Sequence, residues 1–390
     1  MLERIRLLYT VYTNGFYGTE RMSLATAWGL RDEFEPIIVA PPGPAVGEAR
    51  RMGFEVVETA SALAIGGMQT LNYGNFGAVL KPYLSQNKRL VIVSTHIGHS
   101  LSFAAMNLLY RRQTAQIHVV HGPPDVGPGT RYVLNRLPVT TVAISEFTRE
   151  RLLASGVRNE RIRVIENFLS AERVGAAPRR RPFSQSGVRR VAVISRLAPV
   201  KRLDVLLTCL ENRPDLRSIA FHIYGAGVEH DAYADTLKAR AKQHALNVVF
   251  EGFRLDVAEQ LAQSDLFLHL CPSEPFGLVI LEAMAAGTPV VVPNRGGAAL
   301  VIADGVSGLH FVANDPESLG AVLADLNRAK PEYLNMLVSG GRAALASRFS
   351  EHDRLADYRS LIRASFAEGL GEERTDFNSL STRRKKAERK

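Results

Sequence analysis

The sequence predicts an α/β protein built from two Rossmann-like, doubly wound parallel-sheet domains that face a central cleft. Three observations carry this. Short apolar runs of strand length alternate with amphipathic stretches of helix length almost throughout the 390 residues, which is the pattern of parallel sheets covered by helices on both faces. The alternation breaks once, over residues 171–188, and then restarts. Several strand-like runs end in glycine-bearing loops, and ligands of such sheets bind at the carboxyl ends of the strands.

In the first half, strands are expected at 5–11, 35–39, 54–57, 90–94, 117–121, 141–144 and 163–165, with helices such as 20–30 and 146–154 between them. Residues 171–188 have no clear period and carry Pro, Gly, Ser and Arg, so they read as a linker. The second half repeats the scheme, with strands at 190–195, 220–224, 248–251, 265–270 and 289–293. Its helices are expected at 202–210, 233–244, 256–263, 278–286 and 316–330. This divides the chain into a first domain (1–170), a linker (171–188), a second domain (189–348), a helix that returns toward the first domain (349–370), and a basic tail (371–390) whose polar composition predicts disorder.

Composition is that of a soluble globular protein, with 46% apolar and 22% charged residues. No window approaches a membrane-spanning length of about 20 apolar residues, and the first residues read as a strand and not a signal peptide. Two cysteines, Cys209 and Cys271, cannot form a disulfide framework, so a reducing cytoplasm is the expected setting. The net charge of +9 is concentrated at the end: residues 383–390 hold six basic residues and one acid, 6 − 1 = +5. A solvated tail accounts for this. The functional alternative is peripheral attraction to the anionic inner face of a membrane, worth ~1 kcal/mol per basic residue. Nucleic acid is not an expected partner, because the basic residues are not interleaved with aromatics and no zinc-finger, KH or RNP-type signature is present.

The segment from Ser273 to Glu282 holds two carboxylates, Glu274 and Glu282, around a Pro-Phe-Gly turn and a helix start. Glycine at a strand–turn–helix junction exposes backbone N–H groups at a helix N-terminus, which suits an anion. Glu282 lies five residues past Gly277, about 7.5 Å along the axis. A phosphate at the helix start would then have one acid before it and one beyond it. Arg196 and Lys201 follow the first strand of the second half, where cations suit phosphates; taken alone, the pair fits a surface salt-bridge role equally well. Gly225 lies in a weak Gly-x-Gly after another strand, and Arg254 follows a third. In the first half, Gly15 and Gly18 make the loop after strand one permissive. The spacings His96/His99 and His118/His121 raise a metal site, which is disfavoured because an i, i+3 pair on a strand points to opposite faces. His121 ends a buried strand and faces the inter-domain side. No Asp-x-Asp motif is present.

Taken together, these residues resemble the GT-B fold glycosyltransferases, specifically the retaining family 4 ("glycosyl transferases group 1"). The family's Glu-x7-Glu is matched by Glu274 and Glu282, its Gly-Arg-Leu…Lys by Ser195-Arg-Leu…Lys201, and its Gly-x-Gly by Tyr224-Gly-Ala-Gly227. Gly287 to Val291, Gly296-Gly297 and Asp304 to Gly308 match further segments. In the first domain, Gly18-Thr-Glu-Arg21, Val120-His-Gly122 and Ala143-Ile-Ser-Glu146 match the family's glycine loop and two strand ends. Departures occur at Tyr17-Gly18, at Asn167-Phe168 and at Leu300.

The resemblance implies retaining transfer of a sugar from a nucleotide-diphosphate sugar to an acceptor hydroxyl, in bacterial-type polysaccharide, glycolipid or cell-envelope glycan synthesis. The acceptor would be a glycan, a lipid-linked molecule or a small molecule. It implies catalytic roles for Arg196, Lys201, Glu274 and His121. It implies that the sugar nucleotide is held by Gly18, Arg196, Lys201, Gly225, Arg254, Glu274, Phe276, Gly277, Leu278 and Glu282. Arg196 and Lys201 would hold the diphosphate, Glu274 the transferred sugar and Glu282 the ribose. Members of the fold usually need no metal, and no cofactor is expected. Two other classes stay open: a nucleotide-sugar-binding protein of this fold without transfer activity, and a sugar-nucleotide epimerase.

Overall fold

The computed structural model describes residues 4–11, 16–59, 64–65, 68–69, 80–83, 89–109, 114–122, 128–136, 139–227 and 232–369. The basic tail and the part of the first glycine loop that contains Gly15 lie outside these residues.

Thirteen strands among the described residues form two parallel sheets. The first contains β1 (Ile5–Thr10), β2 (Phe34–Ala40), β3 (Glu55–Glu58), β4 (Leu90–Ser94), β5 (Ala115–Val120), β6 (Val139–Ala143) and β7 (Ile162–Val164). Their spatial order is β3-β2-β1-β4-β5-β6-β7. The second contains β8 (Arg190–Ile194), β9 (Ala220–Tyr224), β10 (Val248–Gly252), β11 (Leu266–Leu268), β12 (Val290–Pro293) and β13 (Leu309–Phe311), in the order β10-β9-β8-β11-β12-β13. Both orders reverse next to their first strand, β1/β4 and β8/β11. These are the switch points where doubly wound sheets bind ligands. Strands such as β4 and β5 are buried at every residue, as expected for parallel strands covered on both faces.

The sequence reading missed several elements. β13 is three residues long, too short for a clear periodic signal. The helices Pro44–Arg51, Ile97–Leu109, Pro128–Arg136 and Pro331–Ser347 were not named. The segment 171–188 is not wholly aperiodic. It begins with the helix Ala171–Ala176, and the Ser170 side chain caps it by accepting from the Arg173 N–H. A six-residue helix is shorter than two turns, so its period cannot be read.

The helix Glu351–Gly369 returns to the first domain. Its Arg359 donates to the Gly29 carbonyl at 2.7 Å and pairs with Asp32 and Glu33. A Cβ on Gly29 would come within 2.3 Å of the Leu355 side chain, so this glycine permits the close crossing. Leu355, Tyr358 and Ile362 join an apolar core that also contains Leu7, Phe168, Phe276 and Phe349. That core runs continuously from one domain to the other, because Phe168 ends the first domain while Phe276 and Phe349 belong to the second half. No helix among the described residues is long and apolar enough to cross a membrane.

Candidate active site

The site is built around the loop between β11 and the helix Leu278–Ala286. Gly277 caps that helix with φ +88, a left-handed conformation that disfavours a side chain. The Leu278 and Val279 N–H groups of the first turn precede the first intrahelical hydrogen bond, which the Ile280 N–H makes to the Gly277 carbonyl. The preceding loop is held from behind by Gly297, whose N–H donates to the Glu274 carbonyl at 2.7 Å. A Cβ at Gly297 would lie 1.8 Å from the Pro275 oxygen, so only glycine lets the two backbones meet.

The first domain closes on the same loop. Ser145 follows β6, caps the helix Glu146–Ala154 by accepting from the Thr148 N–H, and donates its hydroxyl to the Pro275 carbonyl at 2.6 Å. Gly18 begins the helix Gly18–Leu30, and a Cβ there would sit 3.6 Å from Leu278 Cδ1. The glycine of the first domain thus faces the N-terminal turn of the second domain's helix.

Glu274 Oε2 accepts from Lys201 Nζ at 2.6 Å, with both side chains 18% exposed. Burial pushes the Glu274 carboxyl up, but Lys201, His269 and Arg196 outweigh it and hold the group below its usual range. The carboxylate is therefore charged at neutral pH. Lys201, just before the helix expected at 202–210, ends the 3-10 turn Pro199–Lys201, and Arg202, at φ 57, breaks that turn from the helix Leu203–Asn212. The turn directs Lys201 toward Glu274. Arg196 is exposed and makes no ion pair among the described residues, yet it lies close enough to act on Glu274 electrostatically.

Glu282, 14% exposed, accepts from Arg173 at 2.6 Å. Burial pulls the Arg21 guanidinium down from its usual value, Glu282 raises it and Arg173 lowers it, so all three side chains share one electrostatic neighbourhood. The family resemblance includes Arg21 without a role for it, and composition places Arg173 in the expected linker. Only the fold brings a residue of the first helix and one of the inter-domain segment to Glu282.

Other expected site residues fall differently. The Phe276 ring is buried, edge-on to Phe349 at 5.7 Å, so its side chain belongs to the core and only its backbone faces the loop. Gly225 is required by packing, since a Cβ there would lie 1.9 Å from the Ser195 oxygen. Arg254 forms a bidentate pair with Asp256 on the surface. His121 directly follows β5, with its Nε2 buried and unpartnered, and burial pushes the ring down to about 4. The expectation that both histidine pairs lie on strands fails for His96/His99. They flank the start of the helix Ile97–Leu109 with ring centroids 5.5 Å apart, and His99 bonds the Thr10 hydroxyl at 3.0 Å.

Sequence reasoning passed over His269. It sits just past β11, 4% exposed, with its Nε2 lacking a hydrogen-bond partner and lying 3.8 Å from Glu274 Oε2. Burial pushes this ring down to about 4, with Glu274 opposing and Lys201 adding to the shift. The available signal was a histidine inside an otherwise apolar strand run.

Comparison with known proteins bears on this arrangement. The family models "Glycosyltransferase Family 4" and "Glycosyl transferases group 1" match residues 16–173 and 178–343 respectively. The chain is similar to a D-inositol 3-phosphate glycosyltransferase from Mycobacterium marinum, 32% identical over 178 residues that cover 44% of this chain and 38% of that protein. It is similar also to a GDP-mannose-dependent alpha-mannosyltransferase from Mycobacterium tuberculosis, 33% identical over 170 residues covering 42% and 41%. The matches thus span less than half the length of these curated relatives. Among solved structures, HepE from Anabaena in complex with UDP and glucose superposes with a TM-score of 0.75 at 19% identity, covering 93% of this chain and 100% of that one. A glycosyltransferase from Rickettsia africae does so with a TM-score of 0.78 at 18% identity, covering 95% and 100%. At these identities the likeness shows the fold alone. Matched side by side in both halves, and with two Rossmann-like sheets around one cleft, the chain belongs to the GT-B glycosyltransferases of the family 4 type.

Proposed function

We propose that this chain transfers a sugar from a nucleotide-diphosphate sugar to an acceptor hydroxyl with retention of configuration. The observation that carries the reading is the Glu274 loop. It joins an acid, a cation pair and a free helix N-terminus at the switch point of the second sheet, and Gly18 of the first domain faces it. Arg196, Lys201 and the Gly277–Leu278 N–H groups hold the diphosphate and stabilise the charge that develops on it as the bond to the sugar breaks. To reach the diphosphate, Lys201 exchanges its contact with Glu274 for one with phosphate. Glu274 is then released to accept from hydroxyls of the transferred sugar, and Glu282 takes the ribose by exchanging Arg173 for its hydroxyls. His121 lies beside the transferred sugar and the acceptor.

Retention follows from front-face attack, in which the leaving phosphate accepts the acceptor's proton. Protein cations supply the charge neutralisation, so turnover proceeds without a metal. The acceptor is a glycan, a lipid-linked molecule or a small molecule in polysaccharide, glycolipid or cell-envelope glycan synthesis, and the basic tail brings the enzyme to an anionic membrane surface.

The test uses a panel of UDP-, GDP- and ADP-sugars. One member should raise the melting temperature, since a ligand of the native state alone stabilises it. NMR of the product should show the anomeric configuration of the donor. A panel in which no sugar nucleotide shifts the melting temperature overturns the reading. Binding without transfer or hydrolysis favours a binding protein, and an isomerised free sugar nucleotide favours an epimerase.

A further inference from the structure

We propose that His269, Cys271 and Glu274 form a zinc site whose occupation blocks the sugar-donor site. One imidazole nitrogen of His269, the Cys271 Sγ and one carboxylate oxygen of Glu274 all lie within 4.8 Å of one another. They come from one six-residue stretch after β11, where the chain leaves the sheet and folds back over its end. Cys271 is 2% exposed and His269 4% exposed. The His269 Nε2 is buried with no hydrogen-bond partner and points toward the other two groups, 3.8 Å from the Glu274 oxygen. A buried polar atom without a partner is costly, and a cation at this point would satisfy it. His269 and Cys271 also line a narrow crevice with Val193, Ser195 and Lys201.

The donor set selects the metal. One imidazole nitrogen, one thiolate and one carboxylate suit zinc, and they discriminate against magnesium and calcium, which prefer oxygen. Zinc bonds of about 2.0–2.3 Å require ligand atoms closer together than in the present arrangement, by about 1 Å. Rotation of the Cys271 and Glu274 side chains supplies that movement, and the carboxylate is held at the same oxygen by the Lys201 contact it would give up. On binding, the Cys271 sulfur forms a bond to zinc and its thiol proton passes to solvent. His269 binds through its neutral Nε2, Glu274 through Oε2 in place of Lys201, and a water molecule takes the fourth position. No group changes oxidation state. Cys209, the other cysteine, is buried in the core of the second domain and takes no part.

Occupation removes Glu274 from the sugar donor and leaves a divalent charge beside Lys201. Zinc and the sugar nucleotide therefore exclude each other. This consequence rests on the donor role proposed for Glu274, whereas the zinc site itself does not.

The experiment is equilibrium dialysis of the full chain, first stripped with chelator, against zinc alone and magnesium alone. Cobalt serves as a spectroscopic substitute. Wild type is compared with Cys271→Ser and His269→Gln, each checked for unchanged circular dichroism. One tight zinc per chain is expected, with no comparable magnesium. Each substitution should weaken that zinc at least about tenfold, and Cys271→Ser should abolish the thiolate-to-cobalt charge-transfer band. Lys201→Met should bind zinc as tightly as wild type or more tightly, because the competing ammonium is gone. Zinc uptake that is equal in wild type and in both ligand variants overturns the site, as does a cobalt complex without thiolate absorption. If zinc binds as described but no sugar nucleotide displaces it, the donor reading of Glu274 fails and the zinc site stands.

Discussion

Ser145 Oγ donates to the Pro275 carbonyl at 2.6 Å, tying the end of β6 in the first domain to the loop that carries Glu274 in the second. The same hydroxyl accepts from the Thr148 N–H at 3.1 Å, so one helix cap and one inter-domain contact share an oxygen. Ser145→Ala removes both. The expected cost is about 1–3 kcal/mol, the range for a lost cap plus an unsatisfied carbonyl, read as a lower denaturation midpoint. A rise in KM for the sugar donor should accompany it, because the Pro275 loop loses its tether. Unchanged stability and unchanged KM together would show that the contact does not couple the domains.

Lys201 and Glu282 separate transition-state from ground-state effects. Lys201→Ala should lower kcat by about 10²-fold or more, as for other groups that stabilise developing charge. Glu282→Ala should chiefly weaken binding of the sugar donor, by about tenfold or more for a lost charge-assisted hydrogen bond, with a smaller change in kcat. Steady-state kinetics with the identified donor decide this. Wild-type turnover in Lys201→Ala removes the role given to that residue.

Acid should destabilise the first domain through its buried histidines. His118 lies between the Ser94 and Ser100 hydroxyls, and burial, helped by the neighbouring His96, pushes it down to about 3. The unfolded chain takes up a proton near pH 6.5 that the native state refuses until about 3. Stability is therefore full above the unfolded value and falls as pH drops below it, by about 1.4 kcal/mol per pH unit for each such group. His99, pushed down to about 3 by burial, adds a second contribution of the same sign. Denaturant midpoints between pH 7 and pH 5 should fall in the wild type and fall less in His118→Gln. Equal slopes in the two proteins would rule out this source of acid sensitivity.

Closure of the cleft should follow donor binding. Arg173 sits on Glu282 from the inter-domain segment, and Gly18 faces Leu278 across the gap, so a ligand between the domains must rearrange contacts from both. Small-angle scattering is expected to show a smaller radius of gyration when the stabilising sugar nucleotide is added, as for other lids and domains that exclude water. No compaction at saturating donor would count against gating.

Most of the fold was legible because parallel strands buried on both faces appear as short apolar runs, and β4 and β9 matched their predicted limits residue for residue. Glycines at strand ends located the cleft, and the helix Leu278–Ala286 was read at its full length. Linear pattern also placed Glu274, Lys201 and Glu282 as candidates, since polar residues after strands or on an otherwise apolar helix stand out against their neighbours. What it could not supply was pairing. Lys201 meets Glu274 across 73 residues and Arg173 meets Glu282 across 109. Such contacts depend on where separate loops arrive in space, not on local periodicity. Phe276 and Gly225, which the resemblance places at the sugar nucleotide, also have packing roles that linear pattern does not show, one ring in the core and one close backbone approach. The sequence by itself determined two parallel α/β sheets and the loops that chemistry can use. The tertiary structure alone decided which charges neutralise one another and that His269 Nε2 is left unpaired beside Glu274, because burial and partnership are properties of the packed chain.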